Sequence, residues 1–214
     1  MRQLFANAAL AGLFMVASFG AYAAADCEAA KAQVQKTTNQ VLDALKAGDS
    51  QIHGLVKKKV LPYFDFRMMS RQVVPNACWK DGSKQERRSN RRAFVNAFRD
   101  LLVRTYSSAL QGAGTVDKDQ IEYSCRDTGT MGKRNPKSTA MVKTEVYRQG
   151  ESEAIKVDYA VYYKKPKRMG QKGKWKVYNV YAAGSSLVGV YTNEYKGYCN
   201  NGGMTNLINK VKNK

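Results

Sequence analysis

The sequence predicts an α+β fold, with N-terminal helices packed on a twisted antiparallel sheet of about four strands and a C-terminal helical cover. Three observations carry this. Up to Leu110 the chain repeats apolar side chains every three or four positions, the spacing of a helix face. Between residues 120 and 182 the period falls to two, with turn residues between the runs, which is the pattern of a meander. From Leu187 onward the helical reading returns.

Each element has its own signal. Asp26 can cap a helix over residues 26–46 whose apolar side is Ala30, Val34, Val41, Leu42 and Leu45. Gly48 stops it, and Asp49 or Ser50 opens a shorter helix to Val60 carrying Ile52, Leu55 and Val56. After Pro62 a third helix over 65–74 turns Phe66, Met69 and Val73 inward and ends before Pro75. Ser83-Lys84-Gln85-Glu86 is a capping box, and behind it Phe94, Phe98, Leu101, Leu102, Tyr106, Ala109 and Leu110 form one stripe. Gln111 to Gly114 breaks the helix, and residues 120–125 make a first strand. In 138–147, Ala140, Val142, Thr144 and Val146 alternate with Met141, Lys143, Glu145 and Tyr147. Gln149-Gly150 turns the chain into 154–164, where Ile155, Val157, Tyr159, Val161 and Tyr163 share a face. A Gly- and Lys-rich loop leads to the strand 175–182, Gly184-Ser185-Ser186 ends it, and residues 187–198 and 205–214 close the chain as helices. No repeat or linker divides residues 24–214, so they are read as one domain.

Residues 1–23 stand apart: Arg2 is their only charge, an apolar run follows, and Ala21-Tyr22-Ala23 suits a signal-peptide cleavage, with Ala25 the other possible site. Export to an oxidising compartment makes Cys27, Cys78, Cys125 and Cys199 a set of two disulfides. Of the three possible pairings, Cys27–Cys199 with Cys78–Cys125 is the one preferred. The net charge of +19 becomes +18 without Arg2, an excess that draws the protein to anionic surfaces. The lysines and arginines are spread over every element, as on a solvated face.

Catalytic patterns are thin. His53, the single histidine, has no nucleophile motif beside it, and Ser185-Ser186 lacks the spacing of a nucleophile turn. The few acids form neither a carboxylate pair nor a calcium loop, and Gly170 and Gly173 among lysines read as an exposed hairpin. No metal or cofactor is expected, and the chain is read as a non-enzyme. Apolar surface is plentiful by contrast, enough for either a packed core or a cavity. The adaptable Phe64, Phe66, Met68 and Met69, and apolar side chains on both sheet faces, point to the cavity.

Five stretches occur together in order: Leu61-Pro62-Tyr63-Phe64-Asp65-Phe66; Ala93-Phe94-Val95-Asn96-Ala97-Phe98-Arg99-Asp100-Leu101-Leu102 with Tyr106; Trp175-Lys176-Val177-Tyr178-Asn179-Val180; Gly184-Ser185-Ser186-Leu187-Val188; and Gly203-Met204-Thr205-Asn206-Leu207-Ile208. In these the chain resembles the MlaC family, periplasmic toluene-tolerance phospholipid-binding proteins. Ala183 and Ser185 depart from the family pattern, which has an acidic residue and a valine there. The resemblance implies a periplasmic, monomeric shuttle that maintains outer-membrane lipid asymmetry. It would hold acyl tails in an internal pocket, with phospholipid as cargo. Its implied partners are an inner-membrane ABC transporter complex with an MCE-domain protein and an outer-membrane lipoprotein–porin complex. The pocket residues expected are Phe66, Met69 and Val73; Phe98, Leu101 and Tyr106; and Val142, Val146, Val157, Val161, Trp175, Val177 and Val180 on the sheet, closed by Leu187 and Val190. Strand alternation leaves the choice of sheet face open. The other reading kept is an exported basic polyanion- or nucleic-acid-binding protein, motivated by charge and by Tyr162-Tyr163-Lys164-Lys165; the leader and the lack of a nucleic-acid motif weigh against it.

Overall fold

The computed structural model describes residues 26–47, 52–111, 116–148, 150, 152–166 and 168–214, without the side chains of 52, 53 and 107–111. The expected leader, the breaks at Gly48 and at 112–114, Gln149 of the expected turn, and the side chains of His53, Ala109 and Leu110 lie outside the described residues. The first helix, α1 (Cys27–Lys46), starts where the Asp26 carboxylate accepts from the Ala29 amide at 2.9 Å. Then follow α2 (Ile52–Leu55), a π-helical turn (Val56–Val60) and a 3-10 turn (Leu61–Tyr63) where Pro62 tightens the chain. The third helix, α3 (Phe66–Val73), is capped by Asp65, which accepts from the Met68 amide at 2.9 Å. A short α4 (Asn76–Lys80) precedes the long α5 (Lys84–Gln111). The capping box of α5 forms in both directions: the Glu86 amide donates to Ser83 Oγ at 3.2 Å and the Ser83 amide to Glu86 at 2.7 Å.

The sheet is an antiparallel meander in the order β1 (Ile121–Met131), β2 (Lys137–Val146), β3 (Ile155–Lys164), β4 (Lys174–Ala182) and β5 (Ser185–Ser186). The expected four strands are present, and the fifth is a two-residue addition. It is joined to β4 by Ala183 and Gly184, both with positive φ (47° and 77°), as a two-residue hairpin turn requires. The first strand runs past Cys125 because Arg126 to Met131 pairs with β2 across a bulge at Asp127/Gly129. Both faces are largely exposed there, so no alternation marked it. Two helices close the chain, α6 (Leu187–Asn200) and α7 (Gly203–Lys212). The buried Asn179 builds the strand-to-helix corner: its Nδ2 donates to Ser186 Oγ at 2.9 Å and its Oδ1 accepts from the Val188 amide at 3.1 Å.

The disulfides are Cys27–Cys125 and Cys78–Cys199, which corrects the expected Cys27–Cys199 and Cys78–Cys125. The reason is packing. The start of α1 lies on β1, while α4 lies beside the closing helices, so each cysteine meets the partner its own layer supplies. No helix among the described residues is long and apolar enough to cross a membrane.

Candidate functional site

The register settles the sheet face. Val142 stands opposite Tyr159, and Tyr159 opposite Val180; Val161 pairs with both Ala140 and Val177. Val157 pairs with Thr144, Val146 with Ile155, and Trp175 with Tyr163. All seven sheet residues expected in the pocket therefore share one face. Val177 and Val180 are three apart, which would put them on opposite sides of a regular strand. A bulge opposite Ala160/Val161 inserts one extra residue in β4 and returns both to the same side.

Over this face lies α1, with Ala30 and Val34 packed on Val142, Val161, Trp175 and Val177. Two devices hold it there. One is the Cys27–Cys125 bond at its start. The other is the Gln33 amide, whose nitrogen donates to the Trp175 carbonyl at 2.9 Å while its oxygen accepts from the Trp175 amide at 3.0 Å. Farther along, the rest of the β4 edge is taken by the Phe64–Asp65 segment: Phe64 bridges to Val177, and the Asp65 amide donates to the Val177 carbonyl at 2.8 Å. The Asp65 carboxylate also accepts from the Tyr162 hydroxyl on the far face, and Lys176 donates to the Pro62 carbonyl. The aromatic stretch around Pro62 is thus an edge strap for β4, with Phe64 turned into the interior and Phe66 stacked on it at 5.7 Å.

The helical residues expected in the pocket behave differently. Met69, Val73, Phe98 and Leu101 meet one another, and α6 and α7 cover them with Tyr191, Tyr195 and Leu207. Phe98 lies edge-on to Tyr191 at 5.2 Å and to Tyr195 at 6.0 Å. These four are buried together, because the two amphipathic closing helices bring a complementary aromatic stripe to them. Tyr106 and Val190, also expected in the pocket, are 44% and 55% exposed. Leu187 is half-buried against the helical core, and Val146 packs with Leu42, Val116 and Ile121.

Among the described residues the apolar interior consists of a helical group, a sheet group and two satellites of three buried residues each. Phe64 and α1 link them: Phe64 touches both the helical and the sheet group, Val34 faces the sheet, and Val41 joins Leu55 and Val56. Tyr159 and Val180 pack against the sheet group from its edge. Val157, Tyr159 and Val180 point to the α1 side of the sheet yet stay only half-buried, as do Val60, Leu61 and Val103 in the group around Val41. The sequence reading did not include Tyr159, Ala30 or Val34. The alternation of β3 held the signal for Tyr159, and the stripe of α1 for the other two.

The phenols on this face, Tyr123 and Tyr159, are neutral at neutral pH. Burial, then the nearby Tyr123, push the Tyr159 phenol up to about 12. Burial also raises Tyr123, against a smaller lowering by the Thr38 hydroxyl. The buried Trp175 Nε1 has no hydrogen-bond partner among the described residues. A surface of valines edged by neutral phenols and an indole can hold hydrocarbon and offer weak donors to an ester or hydroxyl. Cys27, Glu28 and Cys125 gather within ligand distance of one another, but the two sulfurs are bonded together and supply no thiolate for a metal. An open recess of about 360 Å³ lies along the opposite side of α1, lined by Gln35, Lys36, Asn39, Gln40 and Asp43 with Ala32. Its polar walls do not suit acyl chains.

The comparisons with known proteins agree with this architecture. A family model described as MlaC protein matches residues 35–213. The fold is similar to that of the phospholipid-binding protein from Ralstonia solanacearum, solved in complex with a phospholipid, at 21% identity and a TM-score of 0.62, covering 86% of this chain and 95% of that one. No curated protein matches the chain.

Proposed function

Because the chain belongs to the MlaC family, we propose that it is an exported carrier that takes up one phospholipid with its acyl tails against the inward sheet face. The observation that carries this is the half-buried strip of Val157, Tyr159 and Val180, an apolar surface on the α1 side of the sheet. The Ralstonia solanacearum protein of similar fold, with its bound phospholipid, supports the same reading. The tails enter beside Phe64, where the helical and sheet groups meet, rather than between Phe98 and Leu101.

The energetics require partners. Two acyl chains of about thirty methylenes, at ~0.8 kcal/mol each, represent a gross burial near 24 kcal/mol, above the ceiling of about 18–21 kcal/mol that real affinities reach. Release into water is then far too slow for transport, so lipid passes directly into the apolar channel of a docked complex. In this reading those complexes are an outer-membrane lipoprotein–porin assembly and an inner-membrane ABC transporter with an MCE-domain protein. The carrier works as a periplasmic monomer after removal of residues 1–23, and it maintains outer-membrane lipid asymmetry without catalysis.

Native mass spectrometry of protein purified from the periplasm tests this in one spectrum. The expected result is a mature chain beginning at Ala24, two disulfides and one phospholipid mass released on activation. A spectrum of bare protein, with no phospholipid recovered by organic extraction, overturns the carrier reading.

A further inference from the structure

The meander gathers positive charge at one of its two ends. The β1–β2 and β3–β4 turns come out at the same end of the sheet, and the β2–β3 turn at the other. Residues 128–141, 159–166 and 168–176, at the first end, contain nine lysines and arginines and no acid, with Asp127 paired to Ala140 and the Asp65 carboxylate on Tyr162 as the acids beside them. The second end is mixed, Asp117, Asp119, Glu122, Glu145 and Glu153 standing among Lys118, Lys143, Arg148 and Lys156. Among the described residues no ion pair engages Lys133, Arg134, Lys164, Arg168, Lys172 or Lys174. Lys137, on the first hairpin, lies over the Tyr162 ring of the second at 4.3 Å and ties the two together. The base of the second hairpin is closely packed too: Gly173 has no room for a Cβ because the Tyr163 phenol crosses it.

At the tip of the second hairpin, next to Arg168, stands Met169, fully exposed at 102% and the most exposed of the large apolar side chains among the described residues. Positive charge alone fits any polyanion. A flexible apolar side chain at the outermost point of a cationic end fits an interface that is anionic at its surface and apolar just beneath, which describes a lipid bilayer and not an acidic protein or a nucleic acid.

From this arrangement we infer that the basic hairpin end docks the protein on anionic phospholipid bilayers, the lysines and arginines on head groups and Met169 inserted below them. The docking does not depend on the carrier reading. A basic side chain at an anionic surface contributes about fivefold in affinity, so reversing three charges weakens binding by more than about a hundredfold.

The test is sedimentation of the mature protein with vesicles of phosphatidylglycerol and phosphatidylethanolamine, and with vesicles of phosphatidylcholine. Binding is expected only to the first and falls as salt is added. The triple variant Lys164→Glu, Lys172→Glu, Lys174→Glu should lose at least a hundredfold, and Met169→Glu should bind more weakly than the parent. In a Met169→Trp variant, a nitroxide placed on the lipid chains should quench the new indole, while Trp79 and Trp175 are buried and report little. Three results each overturn the proposal: no binding to anionic vesicles at low salt, equal binding by the triple variant, or quenching no greater than in the parent. Binding to DNA without binding to vesicles also overturns it. Lipid extracted from the triple variant is measured separately, so failure to dock and failure to carry are distinguished.

Discussion

Enlarging two valines on the same sheet face separates an unsealed strip from an ordinary core. Val161 is completely buried between Ala140 and Val177, with α1 packed over its group, whereas Val180 stands two strands from Val142 at the half-buried edge. Phenylalanine in place of valine adds about four carbons. At position 161 there is no space, and overpacking of this kind costs about 1–3 kcal/mol. For a chain of this size that lowers Tm by roughly 2–4 °C per kcal/mol. At position 180 the ring can occupy the open strip, so Val180→Phe should stay within about 1 kcal/mol of the parent. It would instead displace three or four methylenes of a bound tail, about 3 kcal/mol at ~0.8 kcal/mol each, or roughly a hundredfold in lipid affinity. Melting of delipidated protein, with quantitative extraction of the lipid each variant carries, reads both effects. If Val180→Phe is as destabilising as Val161→Phe and its lipid content is unchanged, the strip is sealed core and the proposed site is wrong.

Other expectations can be checked independently. The bonds Cys27–Cys125 and Cys78–Cys199 span 98 and 121 residues; a loop of about 100 residues is worth some 4–5 kcal/mol by chain entropy. Converting either pair to alanine should therefore lower Tm by ten degrees or more, and non-reducing peptide mapping should find these two linkages and no others. Burial first, with smaller contributions from Tyr123 and from Tyr106 and its neighbours, pushes Tyr159 and Tyr191 each up to about 12. The unfolded chain releases these protons near 10 and the folded one near 12, so the stability they contribute is complete below pH 10. It is lost as pH rises through 12, by up to about 2–3 kcal/mol per tyrosine. Tyrosinate absorbance should accordingly show a late phase coincident with loss of the circular-dichroism signal; early ionisation of all tyrosines would contradict the burial. Ala183 holds φ +47° ahead of Gly184 in the β4–β5 turn. Ala183→Asn should stabilise by about 0.5–1 kcal/mol in a denaturant titration, because asparagine tolerates this conformation better than alanine.

The legible parts of the fold are those where one short-range rule acts alone. The Ser83–Glu86 box, the α5 stripe from Phe94 to Leu102 and the alternation of β2 and β3 need no tertiary knowledge, and each appears as read. Missed features depend on what lies across from them. At five residues α4 is too short to show a period, and it is held by the buried Cys78 and Trp79. The cysteine pairing follows which layer each residue occupies, and spacing along the chain says nothing of that. The bulge that brings Val177 and Val180 to one face is written in the partner strand as much as in β4 itself.

The candidate site shows the same division more sharply. An apolar stripe on a helix states that it must be covered, but not by what. Phe98 and Leu101 looked fit to line a cavity, and they would do so if α6 and α7 lacked an aromatic face; Tyr191, Tyr195 and Leu207 cover them instead. On the sheet the balance goes the other way. Ala30 and Val34 cover Val142 and Val161, and Gln33 and Cys27 fix α1 over them. That one helix is about 10 Å across with its side chains, about two strand spacings, so it cannot roof four strands. The half-buried remainder is the strip at Val157, Tyr159 and Val180. Covering it with protein would take a second helix on that face; leaving it to a hydrocarbon chain takes none, and this is the physical ground for reading the fold as a container.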